Sequence, residues 1–210
     1  MTRKAGIALV IAGMALMLAA LSLLLHNRQE DAQAGREAGT LLADVRSAIV
    51  SHAPPSAPPA SPTKTSEYTE PTPTAPPEPS APDPTVADCM GILAIPSLEL
   101  ELPVLEDWSY ARLKLAPCRQ FGAPETDDLV IAAHNYASHF GRLRQLDPGD
   151  AVTFTDLDGD TTPYLVAEVR VLEPTQVDAV LSSGHALTLY TCTKGGASRV
   201  VVFCDREECE

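Results

Sequence analysis

Three side chains in the C-terminal half of this chain have residue types that nucleophilic catalysis requires. Cys192 closes an apolar segment, Ala186–Cys192, and Arg199 opens the next one, Arg199–Asp205, with the glycine-containing loop Thr193–Ser198 between them. If the two segments form a hairpin closed by that loop, Cys192 and Arg199 stand directly opposite each other. Opposed residues on paired strands share a face, with Cβ atoms about 4.5–5.5 Å apart. A guanidinium at that range favours the thiolate and can donate to an oxyanion. Cys204 lies five residues past Arg199, so on an unbulged strand it points to the other face.

A thiol nucleophile also needs a proton partner. Of the five histidines, His26 lies at the end of the apolar N-terminal run, His52 borders the proline-rich segment, and His139 and His185 fall in loops. His134 ends Leu129–His134 (LVIAAH), the most apolar strand-like segment, where a polar ring sits at a rim. On position alone it reads equally well as a catalytic base or acid and as a plain strand-end histidine. The other cysteines are Cys89, Cys118 and Cys209, and no pair has zinc-finger spacing.

The elements that must position these groups are short and β-rich. Gly91–Pro96, Leu98–Leu105, Asp128–His134, Ala151–Leu157, Pro163–Leu172, Ala186–Cys192 and Arg199–Asp205 carry the Val, Ile, Leu, Thr and Tyr content of strands. Asp158-Gly159 between two of them is a hairpin signal. The acids Asp156, Asp158 and Asp160 resemble half a calcium loop, but the glycine after Asp160 is missing and Ala167 stands where a bidentate Glu belongs, which favours a turn with solvated acids. Many short strands with little helix predict a closed barrel or sandwich.

The N-terminal region is different. Ala5–Leu25 is a 21-residue run without a charge, about 30 Å as a helix and long enough to cross a bilayer. Arg3 and Lys4 precede it and favour a cytoplasmic N-terminus. A cleaved signal peptide is the competing reading, with Ala32-Gln33-Ala34 as the small-residue site, but the apolar run is too long and the triplet too distant. Residues 26–52 then form a helical stalk, with Ala38, Leu41, Leu42, Val45 and Ile49 at helical spacing, which either continues the span or packs on the body. Residues 53–87 hold 12 of the 19 prolines and predict a semi-extended linker. The folded domain is residues 88–210, exported with residues 1–4 as a cytoplasmic tail. The net charge of −13, with all 28 acids beyond the apolar run and no basic cluster, argues against nucleic acid and makes any membrane attachment hydrophobic.

Thr188-Leu189-Tyr190-Thr191-Cys192 (TLYTC) matches the T-L-x-T-C strand of sortases. With Arg199 one short loop later, His134 closing an apolar strand 58 residues upstream, and GILAIPSLELELPVL at residues 91–105, the chain resembles that family across its whole folded domain. The resemblance implies an eight-stranded β-barrel and a membrane-anchored cysteine transpeptidase. Cys192 would attack the Thr–Gly carbonyl of a Leu-Pro-x-Thr-Gly-like sorting signal on a surface protein. His134 would move the protons, Arg199 would hold the substrate backbone or the oxyanion, and Thr191 and Asn135 would line the substrate. The acceptor is a cell-wall precursor amine or a pilin lysine. No cofactor is implied; a calcium site built from Glu125, Asp127, Asp128, Glu173 and Asp178 is outweighed by scattered surface acids. Free thiols are expected over disulfides.

The subclass signals conflict. His134-Asn135 is class B-like, yet the 13 residues Glu173–His185 before the cysteine strand are too few for that class's helical insertion, and no Asp-Pro-Trp or Asp-Pro-Phe lid precedes the domain. Glu106-Asp107-Trp108 is the nearest approach to one. Rival readings fit less well. A papain-like wall-peptide hydrolase places its cysteine on a helix ahead of the histidine, and a non-catalytic tethered β-domain leaves the three residues' order and spacing unexplained.

Overall fold

The computed structural model describes residues 3–52 and 84–207, so most of the proline-rich segment and Cys209 lie outside the described residues. A single helix, α1 (Arg3–His52), runs without a break through the point where anchor and stalk were divided. From Ile11 to Leu25 its large apolar side chains are exposed, and it is long and apolar enough to cross a membrane. Beyond Leu25 the helix becomes one-sided. Ala34, Ala38, Leu41 and Val45, spaced by three and four, are buried, while the residues between them face solvent. The stalk therefore both continues the span and packs on the body.

The body begins with a short 3-10 turn (Val86–Asp88), inside the segment read as linker, and then forms eight strands. These are β1 (Cys89–Ile95), β2 (Leu100–Leu105), β3 (Cys118–Phe121), β4 (Leu129–Ala132), β5 (Ala151–Asp156), β6 (Thr161–Leu172), β7 (Leu187–Cys192) and β8 (Arg199–Arg206). They close into a barrel in the order β1-β2-β3-β4-β7-β8-β6-β5, with β5 returning to β1. All pairings are antiparallel except β2–β3 and β4–β7. Two one-turn helices, α2 (Tyr110–Leu113) and α3 (Asp178–Leu181), sit in the β2–β3 and β6–β7 connections.

The period-2 alternation of strands sorts residues between two faces. Leu129, Ile131, Leu187, Leu189, Val200, Val202 and Cys204 fill the barrel interior. On the outer face, Ile92, Leu105, Cys118 and Ala132 pack under Leu41 and Val45 of α1. Val201 and Phe203 form a second outer cluster with Ala179 and Val180 of the α3 connection. The β5–β6 hairpin turns at Asp158-Gly159, where Gly159 adopts φ +92° and Asp156 Oδ1 accepts from the backbone N–H groups of Asp158 and Asp160. The acid run is a turn cap. β3 escapes the sequence pattern because its four residues, CRQF, carry no alternation; its neighbours β2 and β4 define it.

Helix and barrel are also joined by Arg46, whose Nε donates to Glu101 Oε1 at 3.0 Å. In the turn that follows β4 lies His139, which is fully buried. Burial, reinforced by nearby His134, pushes its pKa down from 6.5 to about 4. Folding thus holds His139 neutral where the unfolded chain takes up a proton.

Two outcomes follow from this packing. Val45→Ala should cost about 2 kcal/mol through the cavity left under α1, read as a fall of several degrees in Tm. Because the unfolded chain protonates His139 near pH 6.5 and the folded protein only near pH 4, stability should decline as pH falls through that window, by roughly 3 kcal/mol in full. His139→Leu should flatten that part of the Tm–pH curve while leaving Tm at pH 7.5 within a few degrees. An unchanged slope would show that His139 does not cause it.

Candidate active site

The position of His134 relative to Cys192 is set by the parallel pairing of β4 with β7. Leu129 is matched to Leu187, and each later pair, through Ala132 and Tyr190, keeps the same offset. The offset persists beyond the strand: Thr191 Oγ1 donates to Ala133 O at 2.8 Å and Asn135 Nδ2 donates to Thr193 O at 3.3 Å, both across 58 residues. His134 and Cys192 have that same separation, so they occupy matched positions at the C-terminal ends of adjacent strands. β7 and β8 form the anticipated hairpin, and Cys192 is paired with Arg199. Its loop is held by Thr193, whose N–H and Oγ1 both donate to Ser198 O.

Alternation puts all three side chains on one face. His134 follows Ala132 and Val130, Cys192 follows Tyr190 and Thr188, and Arg199 precedes Val201 and Phe203, all on the outer side of the barrel. Tyr190 packs against both outer clusters, one of which also receives Trp108 of the β2–β3 connection and the other Ala179 and Val180 of the α3 connection. Some four residues back along β7, a cleft of about 270 Å³ opens between Asp127, Asp128, Val130 and the Val180–His185 segment.

Exposure separates the cysteines. Cys192 is partly exposed, whereas Cys89, Cys118 and Cys204 are buried, and burial pushes each of their thiols up to about 12. A thiol of that kind yields no thiolate at neutral pH. All four are unpaired. His134 is half-buried; burial first, and then Lys114 at the end of α2, hold its pKa below 6.5, while Glu30 of α1 opposes them. Its imidazole is therefore mainly neutral at pH 7 and able to accept a proton. The Arg199 guanidinium donates through Nη1 to Gly196 O at 3.1 Å and Ser198 O at 3.2 Å. Among the described residues no carboxylate lies within ion-pair distance of it.

Thr191 and Asn135 both make hydrogen bonds within the protein beside the site. Thr191 is buried, and its hydroxyl ties β7 to β4 behind the site. Asn135 braces the loop after Cys192. Both hold the frame through backbone carbonyls. Two of the five acids weighed as a calcium set are engaged within the protein: Asp127 pairs with Arg206, and Asp128 Oδ1 accepts from the Ala123 N–H and the Thr126 hydroxyl. Among the described residues no group of three or more His, Cys, Asp or Glu is arranged around a metal position.

Sequence reasoning missed the surroundings of His134. The Tyr136 ring lies 5.0 Å from it, His139 lies 5.5 Å beyond Tyr136, and Lys114, Glu30 and Asp31 face the same turn. No pattern links residues 30–31 to residues 134–139, because the contact is purely tertiary.

The sortase domain family matches residues 93–207, more than half of the chain. No curated protein matches it. Among solved structures, sortase C from Clostridium perfringens SM101 is 24% identical with a TM-score of 0.51, covering 58% of this chain and 71% of that one. Sortase A from Corynebacterium diphtheriae is 22% identical with a TM-score of 0.53, covering 58% and 62%. Sortase C from Streptococcus pneumoniae is 26% identical with a TM-score of 0.51, covering 58% and 70%. With the closed eight-stranded barrel and the domain match in agreement, the chain belongs to the sortase family.

Proposed function

We propose that the protein is a membrane-anchored cysteine transpeptidase that cleaves a Leu-Pro-x-Thr-Gly-like sorting signal and joins the released carrier to an amine. The observation that carries this reading is the convergence of Cys192, His134 and Arg199 on one end of the outer barrel face, through the β4–β7 and β7–β8 registers. A solved Clostridium perfringens sortase C of similar fold carries the C-terminal cell wall sorting motif. In the present chain β7 runs from beside the cleft at Val130 to Cys192, with Tyr190 between them on the same face of the strand. That run is about 13 Å along the strand, enough for the residues preceding a scissile Thr–Gly bond to lie extended with their Leu-Pro end in the cleft.

In the first step neutral His134 takes the proton of Cys192 as the sulfur bonds to the threonine carbonyl carbon. Arg199 stabilises the resulting oxyanion from across the strand pair. Collapse breaks the C–N bond, the imidazolium gives its proton to the departing glycine amine, and a thioacyl enzyme remains. In the second step His134 removes a proton from the incoming amine, which attacks the thioester, and the sulfur leaves and is reprotonated. The acceptor is a cell-wall precursor or a pilin lysine. The apolar part of α1 anchors the enzyme in the cell membrane with its N-terminus cytoplasmic and the barrel outside. Surface proteins bearing the sorting signal are its partners.

Intact-mass detection of a thioacyl adduct across a sorting-peptide library tests the reaction. The adduct should form on the wild-type protein and be absent from Cys192→Ala, with the fold intact. Loss of activity in Cys118→Ala or Cys204→Ala but not in Cys192→Ala would overturn the assignment. Arg199→Lys keeps the charge but loses the planar donor set, and should lower kcat/KM about 100- to 1000-fold. Activity of that variant within a few-fold of wild type would show that Arg199 acts through charge alone.

A further inference from the structure

The turn that follows His134 is held from outside the barrel. Asp31 lies on α1, and its carboxylate accepts the Ala137 N–H at 3.2 Å, the Ser138 N–H at 3.0 Å and the Ser138 hydroxyl at 2.6 Å. The same hydroxyl lies 3.1 Å from the Asp31 backbone carbonyl, a second acceptor. Helix and turn approach closely: a Cβ added at Gly35, one helical turn along, would stand 3.0 Å from Ser138 Cβ.

The turn is in turn stitched to His134. The Phe140 N–H donates to His134 O at 3.2 Å, and the His139 and Gly141 N–H groups donate to Tyr136 O at 3.0 and 2.8 Å. The Tyr136 ring lies between His134 and His139. β4 ends at Ala132, so the ladder alone does not secure the imidazole beyond it. Beyond the bonds that Ala133 and Asn135 make to the β7 side, His134 is followed by this turn, whose outer edge rests on one carboxylate. Two backbone donors and a hydroxyl converging on a single acceptor fix both the height and the rotation of the turn.

We propose that Asp31 is a positioning residue for His134, so that the helix carrying the membrane span is part of the catalytic frame and not merely a tether. The inference rests on the role of His134 argued above. Asp31 touches no reacting atom. It acts by holding residues 137–138, which hold Tyr136 and Phe140, which hold the imidazole over Cys192. Small displacements of a catalytic group are expensive in rate, reaching about 100-fold for 1 Å.

The test uses the full-length protein in bilayer nanodiscs, with Arg46→Ala as the control, because Arg46 fastens the same helix to the barrel far from the turn. Asp31→Ala should lower kcat for the best library peptide about 10-fold or more with KM within two-fold. Asp31→Asn, which keeps one acceptor oxygen, should recover part of the loss, and Arg46→Ala should stay within two-fold of wild type. Gly35→Leu leaves Asp31 in place but wedges the turn away, and should resemble Asp31→Ala. Equal losses in Asp31→Ala and Arg46→Ala would reduce Asp31 to ordinary helix docking and overturn the proposal, as would a kcat within two-fold of wild type for Asp31→Ala.

Amide hydrogen exchange over residues 134–140 provides a readout that needs no turnover. It should rise at least 10-fold in Asp31→Ala and stay unchanged in Arg46→Ala, and unchanged exchange in Asp31→Ala would overturn the proposal. If the wild type forms no thioacyl adduct, the functional reading fails and the catalytic part of this proposal falls with it. The exchange result then decides separately whether Asp31 positions the turn.

Discussion

The parallel pairing of β4 with β7 is the constraint on which the rest depends. Cys192 and His134, 58 residues apart, have no local reason to meet. They meet because the two strands run in the same direction with one constant offset, from Leu129–Leu187 through Ala132–Tyr190 and on to the Thr191–Ala133 and Asn135–Thr193 side-chain bonds. A slip of one residue would move His134 along the ladder and reverse the faces of every β4 side chain. The interior set Leu129 and Ile131 then would face outward, which makes the register costly to change. The apolar core therefore specifies the geometry of the site.

Closure of the barrel leaves an outer face that is largely apolar on β1 to β4 and on β8, and two elements share the task of covering it. α1 shelters Ile92, Leu105 and Ala132, and the α3 connection shelters Val201 and Phe203. Partly buried Tyr190 lies between the two clusters and packs against both, and Cys192 closes the same strand. The same arrangement explains why one cysteine differs from the others. Cys89 and Cys118 belong to the layer under α1, and Cys204 points into the barrel, so burial keeps all three protonated, while Cys192 emerges where the cover stops.

Packing α1 against the His134 turn also brings in a buried polar ring. His139 is fully buried, and desolvating its ring carries a cost that an apolar side chain would not. Its rings-in-series arrangement with Tyr136 and His134 fills the space between helix and strand end. The protein thus holds a polar residue in an apolar place, in the turn that follows His134.

Much of the molecule was legible in the residues. The uncharged run at 5–25 is long enough as a helix to cross a bilayer, and α1 runs through it. The Cys192–Arg199 apposition follows from loop length because a six-residue loop leaves hairpin partners little freedom. Parity alone put Cys204 on the face opposite Arg199, and closure of the barrel makes that face the interior. The TLYTC strand end pointed to the family. Tertiary structure decided what depends on contacts distant in sequence: β3, whose four residues carry no pattern of their own; the docking of α1, whose apolar spacing suited either a free stalk or a packed helix; and the bonds by which Thr191 and Asn135 tie the end of β4 to β7 and the loop after it. It also decided the surroundings of His134, where Asp31 and Ser138 meet across 107 residues. Periodicity reports which face a residue is on, because that is local geometry. Which other face it meets is settled only when the whole chain closes on itself.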